Sequence, residues 1–347
     1  MECVISSAES SNGPYISIAI ATYNAAKFVE AAIRSALTQS IYDVEVIVVD
    51  DCSTDDTLTI VERLARADAR VRVEQLPENR GPAAARNRAL ASARGRWFAV
   101  LDSDDLFLPE RSERLIAAAE QQGADIIADN PVVFYHADEA APHLFLPTPQ
   151  LPRWLTLEDY LAETRLFERG TGYGYLKPIV RMDRLRRSGL QYDESLRIAE
   201  DDDLIVRMLI HGLSYWIDPL PTYGYRKHKE SISHRLSVTN AAAMTAASAV
   251  LISGTLRHPA HEALKRRHAA FKRALAFVRL IAALKELDAV NAARIVLARP
   301  TVVPLLRMPL AAAFARRFPE KRLDTCSTTN SADVDAVQRM VTAASLG

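Results

Sequence analysis

The chain has 347 residues, and its 43 basic and 43 acidic side chains cancel, so no overall charge favours nucleic acid, membrane or an acidic ligand. Its length corresponds to one large or two modest domains, and a hydrophobic content of 49% excludes intrinsic disorder for most of the chain. Three scattered cysteines exclude a disulfide framework and a cysteine-based metal cluster, which favours a reducing cytoplasm. Residues 1–14 lack the basic and apolar segments of a signal peptide, and we expect them to be flexible.

The first 130 residues alternate short apolar runs with helical patterns. The sequence predicts strands at 16–21, 44–49, 71–73 and 97–101. It predicts helices at 29–37, from Ser53 or Thr54 to 65, and at 82–94 with Gly95 closing the last one. Strands that alternate with helices form a mostly parallel α/β sheet with right-handed crossovers. Ligands bind such sheets beyond the carboxyl ends of the strands.

The pattern changes after residue 150. The sequence predicts short helices near 157–161 and 204–209 and two strands at 215–217 and 222–225. From residue 237 the chain is alanine-rich and helical in period, with breaks near Pro259, Pro300 and Pro304. Charged residues and prolines interrupt the best candidates for a run of about 18 uncharged apolar residues, so we expect no membrane-spanning helix.

The neutral total conceals two oppositely charged regions. Residues 254–322 contain 15 lysines and arginines but 4 acidic residues, an excess of 11 positive charges. The remainder of the chain is therefore acidic by the same amount. Each region needs its own explanation.

Acidic residues gather at three points in the acidic region. Asp50 and Asp51 follow the second strand, residues 102–105 follow the fourth, and residues 200–203 precede a helix. Because the carboxyl ends of parallel strands lie on one edge of a sheet, we expect the first two clusters to share a mouth. Magnesium and manganese take oxygen ligands and commonly join one or two carboxylates to substrate phosphates. The pattern predicts a metal and diphosphate site, although each cluster alone is also typical of a polar loop or a helix N-terminus.

Several segments resemble a known family. They are SIAIATYN at 17–24, EVIVVDDCSTD at 45–55, NRGPAAARN at 79–87, LDSDD at 101–105, EDDDL at 200–204 and YRKH at 225–228. Their content and order resemble family-2 glycosyltransferases with the GT-A fold, over roughly residues 15–235. GYLKP at 174–178 is similar to bacterial exopolysaccharide transferases of the succinoglycan type.

The resemblance implies a nucleotide-binding half at 15–105 and an acceptor half at 106–235. Roles follow for these residues on the donor side: Thr22 and Tyr23 beside the uracil, Asn24 in donor binding, Asp51 accepting from the ring N–H, Arg80 near the base or diphosphate, Asp102 at the ribose or the metal's water shell, and Glu200 and Arg226 in substrate binding. Asp104 would ligate the divalent ion that bridges the phosphates of a nucleotide-diphosphate sugar.

Asp201 is the residue that the resemblance implies as general base. It would take a proton from a saccharide or lipid-linked saccharide hydroxyl, and the product would be inverted. Since Asp201 stands between acidic residues, and crowded carboxylates bind protons more readily, we expect Glu200, Asp202 and Asp203 to strengthen it as a base.

Arg226 and His228 have two interpretations. Arg226 could meet the diphosphate, and a neutral His228 could be a further metal ligand beside Asp104. Alternatively, both belong to a solvated basic turn after an edge strand.

The sequence also bears on three other functional classes. A dinucleotide-dependent oxidoreductase needs a glycine-rich turn after the first strand, and residues 21–30 contain no glycine. A phosphohydrolase with an aspartyl nucleophile remains an alternative, because Asp102 and Asp104 follow a strand. A third alternative is a binding module that lost catalysis, against which the presence of Asp104 and Asp201 argues.

The basic C-terminal part, a helical region at 236–320, also has two interpretations. Leu264 and Phe271 recur at helical spacing among cations, as in a helix that lies on anionic lipid, so residues 254–322 could hold a cytoplasmic enzyme on the inner face of the plasma membrane. The same helices could instead pack on the catalytic domain or a partner. No nucleic-acid-binding motif accompanies the charge, so we expect no nucleic-acid partner. Residues 321–347 are polar, and we expect a disordered tail.

Overall fold

The computed structural model describes residues 13–135, 143–146, 151–163, 172–228, 236–257 and 259–307. The predicted flexible N-terminus, apart from Gly13 and Pro14, and the predicted tail at 321–347 lie outside the described residues.

The described strands and helices alternate as expected in the first half of the chain. The strands are β1 (Ile16–Thr22), β2 (Val44–Asp50), β3 (Val71–Gln75), β4 (Trp97–Val100), β5 (Leu106–Phe107), β6 (Ile126–Ala128), β7 (Val132–Tyr135), β8 (His143–Leu144), β9 (Arg153–Trp154), β10 (Ile179–Arg181), β11 (Tyr215–Ile217) and β12 (Tyr223–Lys227). The helices are α1 (Val29–Leu37), α2 (Thr57–Ala67), α3 (Pro82–Ser92), α4 (Arg111–Gln122), α5 (Leu157–Ala162), α6 (Met182–Ser188), α7 (Glu200–Ile210), α8 (Val238–Gly254), α9 (His261–Lys285) and α10 (Ala289–Ala298), with 3-10 helices at Tyr173–Tyr175 and Pro300–Leu306.

One large sheet has the strand order β3-β2-β1-β4-β10-β6-β11-β9. β1 pairs in parallel with β2 and β4, and β2 pairs in parallel with β3. β10 is antiparallel to both β4 and β6, while β11 is parallel to β6. All but β10 and β9 in this sheet therefore run in one direction, which confirms the predicted mostly parallel α/β architecture.

Successive residues of the central strands face two separate cores. Ile16, Ile18 and Ile20 of β1 lie in one apolar cluster, whereas Ala19 lies in the other. Side chains alternate across a strand, so a sheet covered by helices on both faces requires apolar residues at every position. This burial explains why β1 and β2 read as uninterrupted apolar runs.

Two predicted helix ends differ from the structure. α2 begins at Thr57 because Ser53 bonds to Asp50 and Thr54 bonds to Asn24, so neither serves as the helix cap. α3 ends at Ser92, and Gly95 does not close it. A Cβ at Gly95 would lie 2.5 Å from the backbone nitrogen of Ser17, so glycine is required there for close approach to β1.

A smaller sheet, in the order β5-β12-β7-β8, stands beside the large one. β12 is antiparallel to β5 and parallel to β7. This arrangement returns the end of β12 to the residues that follow β4.

The C-terminal helices divide into a packed part and an exposed part. Leu264 and Phe271 of α9 are buried against the rest of the protein, so the packing interpretation is correct for this face of α9 and the lipid interpretation is wrong for it. Among the described residues no single helix has the length and apolarity to cross a bilayer; α10 and the 3-10 helix at Pro300–Leu306 reach them only as a pair, bent by 116°.

Candidate active site

The end of β1 brings three predicted donor-binding residues to one edge of the sheet. Thr22 is buried, and its carbonyl accepts from the backbone N–H of Asp51 at 2.8 Å. Tyr23 is exposed, and Asn24 has a positive φ of 49°. The Asn24 side-chain oxygen accepts from the backbone N–H of Thr54 at 2.8 Å, which ties the turn after β1 to the turn after β2.

Asp51 holds the entrance to α3. Its buried carboxylate accepts from the backbone N–H groups of Arg80 and Gly81, at 2.7 and 2.8 Å. The Arg80 side chain is half exposed and pairs with Glu194 at 2.5 Å. The structure therefore brings Asp51 and Arg80 together, with the Asp51 carboxylate bonded to the backbone around Arg80.

The carboxylates after β4 form a compact oxygen cluster. Ligand atoms of Asp102, Asp104 and Asp105 lie within 4.8 Å of one another. His228, at the end of β12, places Nε2 at 2.8 Å from Oδ2 of Asp104. Hard oxygen donors with an adjacent imidazole suit Mg²⁺ or Mn²⁺, so the residues present fit such an ion.

Asp105 connects this cluster to β12. Its buried carboxylate accepts from the Tyr223 hydroxyl at 2.7 Å and from the backbone N–H of Arg226 at 2.8 Å. Burial, followed by the nearby charges of Asp104 and Asp102, raises the pKa of Asp105 well above its usual range. Asp105 therefore anchors β12 to the turn after β4.

Arg226 is not part of a solvated turn. Its guanidinium is buried between the rings of Phe28 and Phe134, at 5.0 and 4.8 Å from their centroids. Nε donates to the backbone carbonyl of Asp104 at 2.7 Å. Burial lowers the pKa of Arg226. The solvated alternative is wrong for this residue, and the structure shows it positioning Asp104.

Lys177 joins the two acidic motifs. Its Nζ lies 2.7 Å from a carboxylate oxygen of Asp102 and 2.7 Å from one of Asp201. Burial alone would lower the pKa of Lys177, but the two carboxylates outweigh burial and raise it. The ammonium group is thus a fixed positive charge between the carboxylates of Asp102 and Asp201.

Arg86 of α3 forms a second bridge between the motifs. It pairs with Asp102 at 2.7 Å, with Asp201 at 3.0 Å, and with Glu200. Burial would raise the pKa of Asp102, but Lys177 and Arg86 together lower it to about 2. Asp102 is therefore ionised throughout the neutral range.

The carboxylates at the start of α7 point to different partners. Asp202 accepts from the Tyr160 hydroxyl at 2.9 Å and pairs with Arg267 of α9 at 2.5 Å. Asp203 pairs with Arg207 at 2.7 Å, one turn along the same helix. The expectation that Asp202 and Asp203 crowd Asp201 was therefore wrong, whereas Glu200 does meet Asp201 at the shared Arg86.

The roles of Lys177 and Arg86 were missed from the sequence. Both lie in segments that carry the resemblance, GYLKP and NRGPAAARN. The available signal was chemical: carboxylates at a closed site need compensating cations, and those segments contain three basic residues, Arg80, Arg86 and Lys177.

Comparisons with known proteins agree with this geometry. A model of the family described as Glycosyl transferase family 2 matches residues 17–180. Succinoglycan biosynthesis protein ExoO of Rhizobium meliloti (strain 1021) is 38% identical over 306 residues, which cover 87% of each chain. Succinoglycan biosynthesis protein ExoU of the same organism is 36% identical over 261 residues, covering 73% of this chain and 74% of that protein.

Solved structures share the fold. Staphylococcus aureus TarS 1-349 in complex with UDP has a TM-score of 0.56 at 23% identity, covering 74% of this chain and 70% of that one. Mannosyltransferase PcManGT from Pyrobaculum calidifontis, in complex with GDP-Man and Mn²⁺, has a TM-score of 0.53 at 18% identity, covering 96% and 86%. These likenesses confirm the predicted GT-A architecture.

Proposed function

Since the chain belongs to glycosyl transferase family 2, we propose that this glycosyltransferase moves a sugar from a nucleotide-diphosphate sugar, with UDP as the nucleotide, to a saccharide or lipid-linked saccharide hydroxyl. Membership of this family excludes the alternative of a phosphohydrolase with an aspartyl nucleophile. The setting that we propose is synthesis of an exopolysaccharide or another cell-surface glycan, and this proposal is supported by two relatives that are named as succinoglycan biosynthesis proteins.

The observation that carries the proposal is the contact of two distant acidic motifs. Asp102 follows β4 and Asp201 lies in the first turn of α7, yet Lys177 touches both carboxylates at 2.7 Å. Sugar transfer needs the donor diphosphate and the attacking hydroxyl at one point. A donor-side carboxylate held next to a candidate base meets that requirement.

The donor would lie along the edge formed by the ends of β1, β2 and β4. Thr22, Tyr23 and Asn24 are proposed to lie beside the uracil ring of the donor. Asp51 is proposed to accept a hydrogen bond from the ring N–H, and Arg80 to lie near the uracil or the diphosphate. The closeness of these residues supports the assignment, because Asp51 bonds directly to the turn that carries Arg80.

A divalent ion would be held by Asp104 and His228, with Asp102 at its water shell or at the ribose. Bound there, Mg²⁺ or Mn²⁺ neutralises charge on the diphosphate. Arg226 supports this pair, because it donates to the Asp104 carbonyl and its backbone N–H bonds to Asp105.

Asp201 is proposed as the general base. It would remove a proton from the acceptor hydroxyl as the oxygen attacks the anomeric carbon opposite the leaving diphosphate, which inverts the configuration. Proton removal of this kind supplies about a 100- to 10,000-fold acceleration. Lys177, Arg86 and Glu200 would position Asp201 through the ion pairs described above.

Ligand-dependent thermal stability tests the donor and metal assignments. We expect UDP with Mn²⁺ to raise the melting temperature more than GDP with Mn²⁺, and UDP without metal to have little effect, since binding to the folded state stabilises it. Asp104→Asn should fold, because its side chain is partly exposed, and should lose the metal-dependent part of the shift.

Equal stabilisation of wild type by UDP with and without Mn²⁺ would contradict metal-dependent donor binding. A larger effect of GDP than of UDP would contradict the choice of nucleotide while leaving the fold assignment intact.

We also propose that the basic C-terminal region places the enzyme at the inner face of the plasma membrane. On and beside α10, Leu287, Val290 and Leu297 are 89, 72 and 83% exposed, and the exposed Arg294 stands among them. Apolar side chains beside cations favour an anionic lipid surface.

Sedimentation with vesicles tests this placement. The double variant Leu287→Ser with Leu297→Ser should bind vesicles containing phosphatidylserine less than wild type does, whereas Val250→Ser, an exposed residue of α8, should not change binding. Unchanged binding by the double variant would count against the membrane surface. These substitutions leave α9 intact, which a C-terminal deletion would not.

A further inference from the structure

Aromatic rings form a stepped surface beside the candidate active site. The Tyr175 and Phe145 ring centroids lie 5.3 Å apart, and those of Phe145 and Tyr225 lie 6.2 Å apart. Tyr175 is 49% exposed, while Phe145 and Tyr225 are partly buried and pack against the two cores. We call Tyr175, Phe145 and Tyr225 the aromatic platform.

The local chain holds Tyr175 in this outward position. It ends the 3-10 helix at Tyr173–Tyr175, between the buried Tyr173 and the fully buried Leu176, whose N–H bonds to the Tyr173 carbonyl at 3.0 Å. A Cβ at Gly174 would lie 2.9 Å from Oδ1 of Asp202, so the glycine lets this turn pack directly on the start of α7. The ring is therefore presented by a fixed backbone, which reduces the entropy that a ligand must remove on binding.

The chain connects the two ends of the aromatic platform to residues that contact the base-side and the metal-side carboxylates. At one end, Tyr175 is two residues before Lys177, which contacts Asp201. At the other end, Tyr225 precedes Arg226, whose backbone N–H and Nε bond to Asp105 and to the Asp104 carbonyl.

The donor base would lie on the other side of β4. Thr22 and Asp51 follow β1 and β2, whereas Tyr175 precedes β10, and β1 and β10 flank β4 on opposite sides. A ligand on the aromatic platform is therefore separate from the nucleotide base and close to the transfer point.

The chemistry of the surface selects a sugar ring. The C–H face of a pyranose is apolar with a weakly positive edge, which complements the negative face of an aromatic ring. A polar group lies beside the platform: the Asp202 carboxylate lies against Gly174, the residue before Tyr175. Ligand sites typically combine an apolar wall with a few polar groups.

We propose that the aromatic platform binds a pyranose ring of the acceptor saccharide, with Tyr175 stacking on its C–H face. The proposal rests on the proposed function, since it names the acceptor subsite of the same reaction. It predicts that Tyr175 contributes to acceptor binding and leaves donor binding unchanged.

Saturation-transfer NMR on the full chain tests the acceptor subsite, with UDP and the diamagnetic ion Mg²⁺ present and methyl β-D-glucopyranoside, cellobiose and lactose as probes. Wild type should transfer saturation to pyranose C–H protons of at least one probe. Tyr175→Ala should weaken the affinity for that probe about three- to tenfold, while Tyr175→Phe should retain it. Tyr42→Ala, an exposed tyrosine before β2, is the matched control and should bind as wild type does.

A separate thermal shift with UDP and Mn²⁺ reports the donor site of each variant. Failure of that shift in wild type would undermine the proposed function, whereas the shift of Tyr175→Ala should equal that of wild type. Saccharide affinity unchanged in Tyr175→Ala, or no saturation transfer from wild type to any probe, would overturn the proposal for the aromatic platform.

Discussion

The acidic run after β4 and the acidic run that begins α7 look alike in sequence but are compensated differently. In the α7 run every carboxylate has a lysine or arginine partner: Glu200 and Asp201 pair with Arg86, Asp202 with Arg267 and Asp203 with Arg207. In the β4 run Asp102 pairs with Lys177 and Arg86, whereas Asp104 has His228 and no lysine or arginine among the described residues.

This difference separates two functions of aspartate clusters. Carboxylates that the protein neutralises with its own cations do not need a metal ion, so the α7 run suits a positioned base. A carboxylate left with an imidazole partner keeps its affinity for a divalent ion. Acidic composition alone therefore does not locate a metal site, and the location of the cations supports the proposal that Asp104 is the metal ligand.

The largest expected effect comes from Asp201→Asn. Turnover should fall about 100- to 10,000-fold, because the amide cannot accept the acceptor proton, while the thermal shift with UDP and Mn²⁺ remains. Asp203→Asn, in the same helical turn but paired with Arg207, is the control and should keep most of its turnover. Full activity of Asp201→Asn in a transfer assay would remove it as the base.

Lys177→Met tests the charge compensation of both runs at once, because Lys177 pairs with one carboxylate of each. Removing the ammonium leaves Asp102 and Asp201 sharing one buried cation, Arg86, so the free energy of unfolding should fall by about 3–5 kcal/mol in urea titrations. Mn²⁺ alone should then stabilise this variant more than it stabilises wild type, since a divalent ion can replace the lost charge. Lys177→Arg keeps a cation and should lose less. If Lys177→Met had the stability of wild type and the same response to Mn²⁺, Lys177 would not be compensating the charge of Asp102 and Asp201.

Arg267→Met tests whether α9 completes the α7 run. Asp202 would keep the Tyr160 hydroxyl but lose its buried cation, so the unfolding free energy should fall by about 2–3 kcal/mol. Lys272→Met, an exposed cation on the same helix, is the matched control for urea titrations. If both variants have the same free energy of unfolding, the ion pair between Arg267 and Asp202 stabilises the fold no more than an exposed cation does.

Acid sensitivity gives the smallest expected effect. The pKa of Asp102 falls from 3.8 to about 2 in the folded state, so its contribution is complete above pH about 4 and is lost as the pH falls towards 2. Asp102→Asn should therefore reduce the loss of stability over this window by at most about 2 kcal/mol, since the side chain is partly exposed. Asp43→Asn, an exposed acid, should leave the slope unchanged. An identical acid slope in Asp102→Asn would mean that its ion pairs do not stabilise the fold.

The sequence predicted the sheet and the acidic motifs because their signals are local. Strands such as β1 and β2 are recognisable in the sequence as continuous apolar runs. Carboxylates that follow parallel strands lie at the same edge of the sheet, where the carboxyl ends of the strands are. The direction of β10, antiparallel to β4, had no comparable signal, since three residues carry no period that tells orientation.

The cations that pair with the acidic runs could not be predicted from local sequence patterns. Lys177 and Arg267 reach their carboxylates only after the chain has folded through several elements, and no spacing in the sequence states which lysine will be buried. The crowding expected from Asp202 and Asp203 failed for the same reason: these residues point away from Asp201, and their partners come from α5, α9 and α7 itself.

The pairing of Arg267 with Asp202 also sets an order of events during synthesis. The two residues are 65 positions apart, and at about 5–20 residues per second the ribosome adds that length in about 3–13 s. During that interval Asp202 has its tyrosine partner but lacks its cation, so the α7 run reaches its final form only after α9 has emerged. The nascent chain should therefore form the ion pairs of Asp201 with Arg86 and Lys177 before it forms the ion pair of Asp202 with Arg267.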